Sequence, residues 1–211
     1  MGKVVAAIVM VFWAGCVWAQ AVTIAALGDS LTQGYGLPVE DGFVPQLEGW
    51  LTAAGHDVRV INAGVSGDTT AGGLSRAAWT LTPDVDAMIV ALGGNDLLRG
   101  IDPEVSRANL GGILQAADAA NVPVLLIGMQ APGNYGPEYK AAFDGMYPEL
   151  AAEFGTLYLD SFFAGLGSVG TDPADVRQYM QADGVHPNAT GVARIVEGVG
   201  PLAVELIAVA K

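Results

Sequence analysis

The chain has 211 residues, of which 52% are hydrophobic and 15% are charged. It is therefore too apolar for a disordered protein and long enough for one compact domain with a sizeable core. Nine Lys and Arg residues stand against 22 Asp and Glu residues, and the net charge of -13 leaves no basic surface for the phosphates of a nucleic acid.

The amino terminus has the pattern of a secretory signal peptide. Lys3 precedes an apolar run from Val4 to Val17, and the small residue Ala19 follows. We predict cleavage after Ala19, so that residues 1–19 are the signal peptide, residues 20–211 are the mature domain, and the protein is periplasmic or secreted. Two alternatives are a retained membrane anchor, for which the apolar run is short, and lipidation at Cys16. After processing we expect no stable membrane insertion.

Cysteines and histidines are too few to indicate a disulfide or a metal site. Cys16 is the only cysteine and lies before the predicted cleavage point, so no thiol nucleophile remains. Neither His56 nor His186 belongs to a zinc-binding motif. His56 follows a glycine that is typical of a helix end, and we assign it no role. The sequence implies no metal.

Short apolar runs alternate with amphipathic stretches along the chain, which is typical of βαβ units and an α/β fold with a parallel sheet. The predicted strands are residues 22–27, 58–62, 87–92, 124–129 and 156–159. The predicted helices between them are residues 43–54, 70–79, 104–120 and 138–154. A last helix is predicted from Asn188, with a kink or break near Gly198, Gly200 and Pro201 and a second short helix after it.

The first predicted strand leads into Gly28-Asp29-Ser30. A serine that follows a small residue where a strand becomes a loop can present its hydroxyl at the top of a sheet. The same residue types are common in ordinary turns, so this motif alone leaves the role of Ser30 open. The chain contains no G-x-S-x-G, which excludes the usual nucleophile turn of α/β-hydrolases.

Glycine-rich turns follow the second and third predicted strands. Gly67 lies in the first turn and Asn95 in the second, and a backbone N–H or a side-chain amide there can stabilise a developing oxyanion. The alternative for both turns is local turn chemistry.

Asp183 and His186 lie three residues apart after the last predicted strand. A serine nucleophile needs a base, and the base needs an orienting acid, which these two side chains can supply from one turn. The alternative is an exposed loop without a function. If the base is neutral His186, activity rises with pH.

A flavodoxin-like strand order, 2-1-3-4-5, brings the candidate residues to one edge of the sheet. In this order the first strand lies between the second and third, so Ser30, Gly67 and Asn95 would meet. Residues 160–186 are long enough to return from the fifth strand to the first. The strand order therefore predicts one site.

The same four segments, in this order, resemble the four conserved blocks of the SGNH (GDSL) hydrolases, whose name residues match Ser30, Gly67, Asn95 and His186. Residues 28–36, 62–70, 92–100, 132–139 and 178–188 look like the periplasmic acyl-thioesterase, lysophospholipase and arylesterase group. The resemblance implies a three-layer α/β/α fold, which we expect to be built on the five predicted strands, together with a Ser30–Asp183–His186 triad and no cofactor. It also implies an oxyanion hole made by the Ser30 N–H, the Gly67 N–H and the Asn95 side chain.

By the same resemblance, four residues border the substrate: Leu97, Ala131, Pro132 and Tyr135. Leu97 stands where a small residue is expected, which leaves open how freely its loop moves. We expect hydrolysis of small-molecule esters or thioesters with a fatty-acyl or aryl group. The alternatives are a carbohydrate acetylesterase and a non-catalytic exported binding protein on the same fold. The sequence does not fix the oligomeric state, although a monomer is favoured.

Overall fold

A parallel sheet of five strands forms the centre of the fold, with helices on both of its faces. The structure is a computed structural model that describes residues 21–167 and 176–210, so the predicted signal peptide lies outside the described residues. The strands are β1 (Val22–Gly28), β2 (Val58–Gly64), β3 (Ala87–Ala91), β4 (Val124–Ile127) and β5 (Leu157–Leu159). Their order is β2-β1-β3-β4-β5, which confirms the predicted arrangement.

Seven α-helices of the described residues surround the sheet: α1 (Ser30–Gln33), α2 (Phe43–Ala53), α3 (Thr70–Thr80), α4 (Gly94–Leu98), α5 (Pro103–Ala119), α6 (Pro137–Phe154) and α7 (Ala189–Val209). Helices α2 and α7 pack together, and their apolar side chains share one core cluster with one face of the sheet. Side chains of α3, α5 and α6 share a second cluster with the opposite face. The result is the expected three-layer α/β/α arrangement.

Strand β1, which lies between β2 and β3, is buried along its whole length, as is typical of a parallel strand covered on both faces. Its pairing with β2 runs from Val22↔Val58 to Gly28↔Gly64, and Gly28 also pairs with Ala91 of β3. The carboxyl ends of β1, β2 and β3 are therefore level. The turns that follow these three strands consequently emerge side by side.

Helix α7 is continuous from Ala189 to Val209, so the predicted break near Pro201 is wrong. Its apolar stripe is buried on both sides of the proline, at Val192, Ile195, Val196, Val199, Ala203, Leu206 and Ile207. The two glycines serve close packing, because Gly200 lies against the Trp50 ring and Gly198 against the backbone of Gly165. Burial of the stripe outweighs the cost of about 3 kcal/mol for a proline inside a helix.

Polar side chains cap the amino-terminal ends of two of the helices that pack on the sheet, α3 and α7. Thr69 accepts from the Gly72 N–H at the start of α3, and Asn188 accepts from the Gly191 N–H at the start of α7. Such caps satisfy N–H groups that have no partner within the helix. None of the helices that the structure describes is long and apolar enough to cross a membrane.

Candidate active site

Ser30 lies at the first turn after strand β1. Strand β1 ends at Gly28, and the side chain of Asp29 accepts from the Leu31 N–H at 3.0 Å, which starts the short helix α1 at Ser30. A Cβ on Gly28 would lie 2.9 Å from the carbonyl oxygen of Ala91 and would also meet Thr32. Glycine is therefore required for the chain to turn this closely against β3, and the turn lifts Ser30 to the edge of the sheet.

Arg76 ties the ends of β1 and β2 together from helix α3. Its guanidinium donates to the carbonyl oxygens of Gly28 at 2.8 Å and Ala63 at 2.6 Å, and to the carboxylate of Asp68 at 2.7 Å. The side chain is 22% exposed. A planar group with several donors suits this task, because one side chain satisfies acceptors on two strands and a turn.

His186 reaches Ser30 from a hairpin formed by residues 180–187, which we call the base hairpin. Met180 and Pro187 form an antiparallel bridge, and the Gln181 N–H donates to the carbonyl oxygen of His186 at 2.7 Å. The Gln181 side chain also donates to the carbonyl oxygen of Tyr35 at 2.8 Å, which fastens the hairpin to the chain after α1. His186 Nε2 lies 2.9 Å from Ser30 Oγ.

Asp183 holds His186 within the same hairpin. Its Oδ1 accepts from the N–H groups of Val185 and His186 at 2.9 and 3.0 Å, and its Oδ2 lies 2.7 Å from His186 Nδ1. The backbone and side-chain hydrogen bonds from His186, followed by the bond from Val185, lower the pKa of Asp183 to about 2. An ionised carboxylate at Nδ1 keeps the proton there, so Nε2 carries the lone pair that faces the serine.

The turn after β2 places Gly67 at the site. Gly67 has a φ of +84°, a conformation that favours glycine, and its carbonyl oxygen accepts from Arg99 at 2.9 Å. Among the described residues, no group accepts from the backbone N–H of Gly67 or of Ser30. Within the part of the chain that the structure describes, both N–H groups therefore lack a protein acceptor and can donate to an oxygen atom of a bound substrate.

Asn95 lies on α4, directly after β3. Its neighbour Asp96 is 1% exposed, and its Oδ2 accepts from the Thr70 N–H at 2.8 Å. Asp96 Oδ1 accepts from the hydroxyls of Thr70 at 2.6 Å and Ser106 at 3.0 Å. Because Thr70 begins α3 and Ser106 lies in α5, this buried carboxylate fixes α4, and with it Asn95, against two longer helices.

The Asn95 side chain also contacts Asp29, with Nδ2 donating to Asp29 Oδ2 at 3.3 Å. Asp29 is 2% exposed. Burial raises the pKa of Asp29 to about 6, although hydrogen bonds from Leu31 and Asn95 and the nearby His186 act in the opposite direction. The sequence motif identifies Asp29 only as a neighbour of Ser30 and gives no sign of this contact.

A cavity of about 1190 Å³ opens beside Ser30 and His186. Its wall is mainly apolar and includes Leu31, Leu97, Leu98, Met129, Ala131, Pro132, Phe163, Val176, Met180 and Val185. Ser30, Gly67, Asn95 and His186 all line it, whereas Asp183 stands behind the imidazole. The cavity can hold an extended apolar group next to the serine hydroxyl.

Three of the four residues expected to border the substrate lie on this wall: Leu97, Ala131 and Pro132. Tyr135 does not. It is 45% exposed, and its ring packs 5.0 Å from that of Tyr139 and beside Gly100.

Tyr35 was not identified from the sequence. It lines the cavity, and its ring lies 4.7 Å from the His186 ring. No motif marks it, because it follows the serine turn as an ordinary loop residue. His56 is not among the residues that line the cavity.

Within the described ranges, no group of three or more His, Cys, Asp or Glu side chains is arranged to hold a metal ion. The polar groups nearest Ser30 on the cavity wall include its own hydroxyl, an imidazole, a carboxamide and backbone N–H donors, and Lys140 and Arg177 also line the cavity. Such a set can transfer an acyl group through a serine, with donors placed to stabilise a tetrahedral intermediate.

Comparison with known proteins gives consistent matches over most of the chain. Residues 26–194 match the sequence model of the GDSL-like Lipase/Acylhydrolase family. The chain is 41% identical to Esterase TesA of Pseudomonas aeruginosa, over 87% of this chain and 88% of that protein. It is 39% identical to Thioesterase 1/protease 1/lysophospholipase L1 of Escherichia coli K12, over 81% and 77% of the two chains. The crystal structure of AlinE4, an SGNH-hydrolase family esterase, superposes with a TM-score of 0.72 at 40% identity, covering 89% of this chain and 97% of AlinE4.

Proposed function

Because the chain belongs to the GDSL-like lipase/acylhydrolase family and hydrolyses esters or thioesters, we propose that Ser30 is its nucleophile, His186 the general base and Asp183 the orienting carboxylate. The observation that carries the proposal is the unbroken contact from Asp183 Oδ2 to His186 Nδ1, at 2.7 Å, and from His186 Nε2 to Ser30 Oγ, at 2.9 Å. These distances lie within hydrogen-bond reach, as proton transfer requires.

Acylation begins when Ser30 Oγ attacks the carbonyl carbon of the substrate and His186 Nε2 takes the hydroxyl proton. The tetrahedral intermediate collapses as the C–O or C–S bond breaks, and His186 gives the proton to the departing alcohol or thiol. In the second half, water attacks the acyl-serine, His186 takes one of its protons and returns it to Ser30 Oγ, and the carboxylic acid leaves. Asp183 stays ionised throughout, since its pKa is about 2.

Three donors are proposed to bind the oxygen that becomes negative: the Ser30 N–H, the Gly67 N–H and the Asn95 Nδ2–H. All three residues line the cavity beside the serine hydroxyl. Such donors act most strongly when they are already in place before the charge develops. Arg99 and Asp96 support this arrangement, because they hold the Gly67 turn and helix α4 in position.

The acyl side of the substrate is proposed to be a fatty-acyl or aryl group that contacts Leu97, Ala131 and Pro132. The mainly apolar wall supports this choice. An acetylated sugar is less well matched, because a sugar ring usually packs on aromatic side chains. Among the described residues of the wall, the Phe, Tyr and Trp side chains are limited to Tyr35 and Phe163. An esterase and a thioesterase/lysophospholipase among the relatives point in the same direction.

Export is proposed from the sequence of residues 1–19, with Lys3 followed by an apolar run and a small residue before the cleavage point. The site would then work in the periplasm or outside the cell. Amino-terminal sequencing of the mature protein tests this directly, and we expect Gln20 as its first residue.

The test of the triad is Ser30→Ala, measured with p-nitrophenyl esters and acyl thioesters of increasing chain length. We expect loss of hydrolysis for every substrate at an unchanged melting temperature, because the hydroxyl forms the covalent bond and contributes little to packing. Mass spectrometry of the wild-type enzyme during turnover should detect an acyl group on Ser30. Activity of the variant within tenfold of the wild type would remove Ser30 from the mechanism.

A further inference from the structure

Asp29 is a buried carboxyl group that the acyl-transfer steps above do not use. It stands directly before the nucleophile and is 2% exposed. Each of its oxygens accepts one hydrogen bond, Oδ1 from the Leu31 N–H at 3.0 Å and Oδ2 from Asn95 Nδ2 at 3.3 Å. The first bond starts helix α1, and the second reaches the side chain that is proposed to bind the oxyanion.

Close packing brings the carboxyl group and α4 together. A Cβ on Gly94 would lie only 3.2 Å from Asp29 Oδ2 and 3.1 Å from the terminal methyl of Met129. The glycine therefore allows the start of α4 to approach Asp29, and Asn95 follows one residue later.

We propose that Asp29 is a positioning residue that aims the Asn95 carboxamide at the oxyanion, and that it does so only while its carboxyl group is ionised. The inference rests on the oxyanion role proposed for Asn95. Asn Nδ2 carries two hydrogens. One is donated to Asp29, which leaves the second for the substrate oxygen.

Ionisation matters because a carboxylate can only accept hydrogen bonds. It attracts Asn95 Nδ2 and repels Asn95 Oδ1, so it selects one of the two orientations of the amide. A protonated carboxyl group carries a donor and can bond to Asn95 Oδ1 in the flipped orientation. The flipped amide would present an acceptor where the oxyanion needs a donor.

The surroundings of Asp29 bring its titration into the range where such an enzyme works. Burial raises its pKa to about 6, opposed by hydrogen bonds from Leu31 and Asn95 and by the charge that His186 can carry. Tyr147 also interacts with Asp29, and it stays protonated because burial raises its pKa well above 10. Activity then requires that both His186 and Asp29 have lost their protons.

The test is Asp29→Asn, with kcat and KM measured from pH 4.5 to 9. Asn also starts helices well, so the bond from the Leu31 N–H is kept, while the side-chain amide of the new residue faces Asn95 and favours the flipped orientation. We expect kcat to fall about ten- to a hundredfold with KM changed less than about threefold. In a plot of log kcat/KM against pH, the acid limb should change from a slope near two to a slope near one.

A matched control is Asp102→Asn. Asp102 starts helix α5 in the same way, accepting from the Glu104 N–H at 3.0 Å, but it is exposed and does not line the cavity. For Asp102→Asn, kcat and the slope of the acid limb of log kcat/KM against pH should equal those of the wild type. If Asp29→Asn folds poorly, Asp29→Ser serves instead, because Ser starts helices but is too short to reach Asn95.

Asn95→Ala and the double variant Asp29→Asn/Asn95→Ala complete a double-mutant cycle, which measures the coupling between the two side chains. We expect Asn95→Ala to lower kcat about a hundred- to a thousandfold, and Asp29→Asn to have little further effect in that background. If Asp29→Asn has a normal kcat and acid-limb slope, or if the losses of activation free energy add fully in the double variant, the positioning role of Asp29 is overturned. The oxyanion role of Asn95 would still stand. Normal kcat in Asn95→Ala would instead overturn the proposed oxyanion role of Asn95 on which it rests.

Discussion

Asp29 is ionised at neutral pH although it is buried, and this state costs folding free energy. Folding raises its pKa from 3.8 to about 6, so the native protein binds the proton more tightly than the unfolded chain does. The stability that comes from the bound proton is present below pH 3.8 and is lost as the pH rises through 6. Over this pH range the contribution of Asp29 to the free energy of unfolding falls by about 3 kcal/mol.

Asp29→Asn should therefore gain stability relative to the wild type as the pH rises. We expect the difference in free energy of unfolding between variant and wild type to shift by about 2.5 kcal/mol in favour of the variant between pH 4 and pH 8, because part of the effect lies below pH 4. Urea unfolding at both pH values measures it, and subtraction of the wild type removes the contribution of the other titrating groups. A difference that does not change with pH would mean that burial does not raise the pKa of Asp29.

Single residues of the site differ in how far they could be predicted from the sequence. Ser30, Gly67 and Asn95 were found because each follows a predicted strand, and strand order alone brings them together. The contact between Asp29 and Asn95 could not be found in this way, because it depends on which way two side chains point. The same holds for Tyr35 beside His186, and for Tyr135, which packs on Tyr139 away from the cavity wall.

At the scale of elements, the strands were predictable because β-branched and apolar runs are short and bounded by turn residues. Most predicted bounds differ from the observed ones by one or two residues. Helix α7 was the exception. Local propensity at Gly198, Gly200 and Pro201 indicated a break, whereas packing against α2 keeps the helix continuous.

The proline of α7 provides a test of that explanation. Pro201 is exposed, so Pro201→Ala loses little packing and restores a backbone N–H that can join the helix. We expect the free energy of unfolding to rise by about 1 to 3 kcal/mol, with kcat unchanged. Chemical denaturation measures the gain. A loss of stability would show that the proline ring packs favourably or that the helix is adapted to the missing bond.

At the scale of the whole molecule, the net charge of -13 affects which substrates approach easily. An acidic protein repels anionic substrates over a distance that salt shortens, from about 30 Å at 0.01 M to about 8 Å at 0.15 M. A neutral ester does not feel this repulsion.

We therefore expect added salt to favour anionic substrates selectively. Between low and physiological ionic strength, KM for an acyl thioester with a phosphorylated leaving group should fall severalfold. KM for a neutral p-nitrophenyl ester with the same acyl chain serves as the control and should stay constant. Equal responses of the two substrates would indicate that local charges at the site, such as Lys140 and Arg177, cancel the long-range field.

The base hairpin also has a consequence for motion. Asp183 and His186 lie on the same eight-residue unit, which is closed by its own backbone bonds and fastened near α1 by one glutamine side chain. If the hairpin shifts as a rigid body, the imidazole stays paired with its carboxylate while its distance to Ser30 changes. Fluctuations of the loop would then switch the nucleophile on and off without disturbing the tautomer of the base. The enzyme would then alternate between active and inactive periods. It would be ready to react each time the hairpin returned to Ser30.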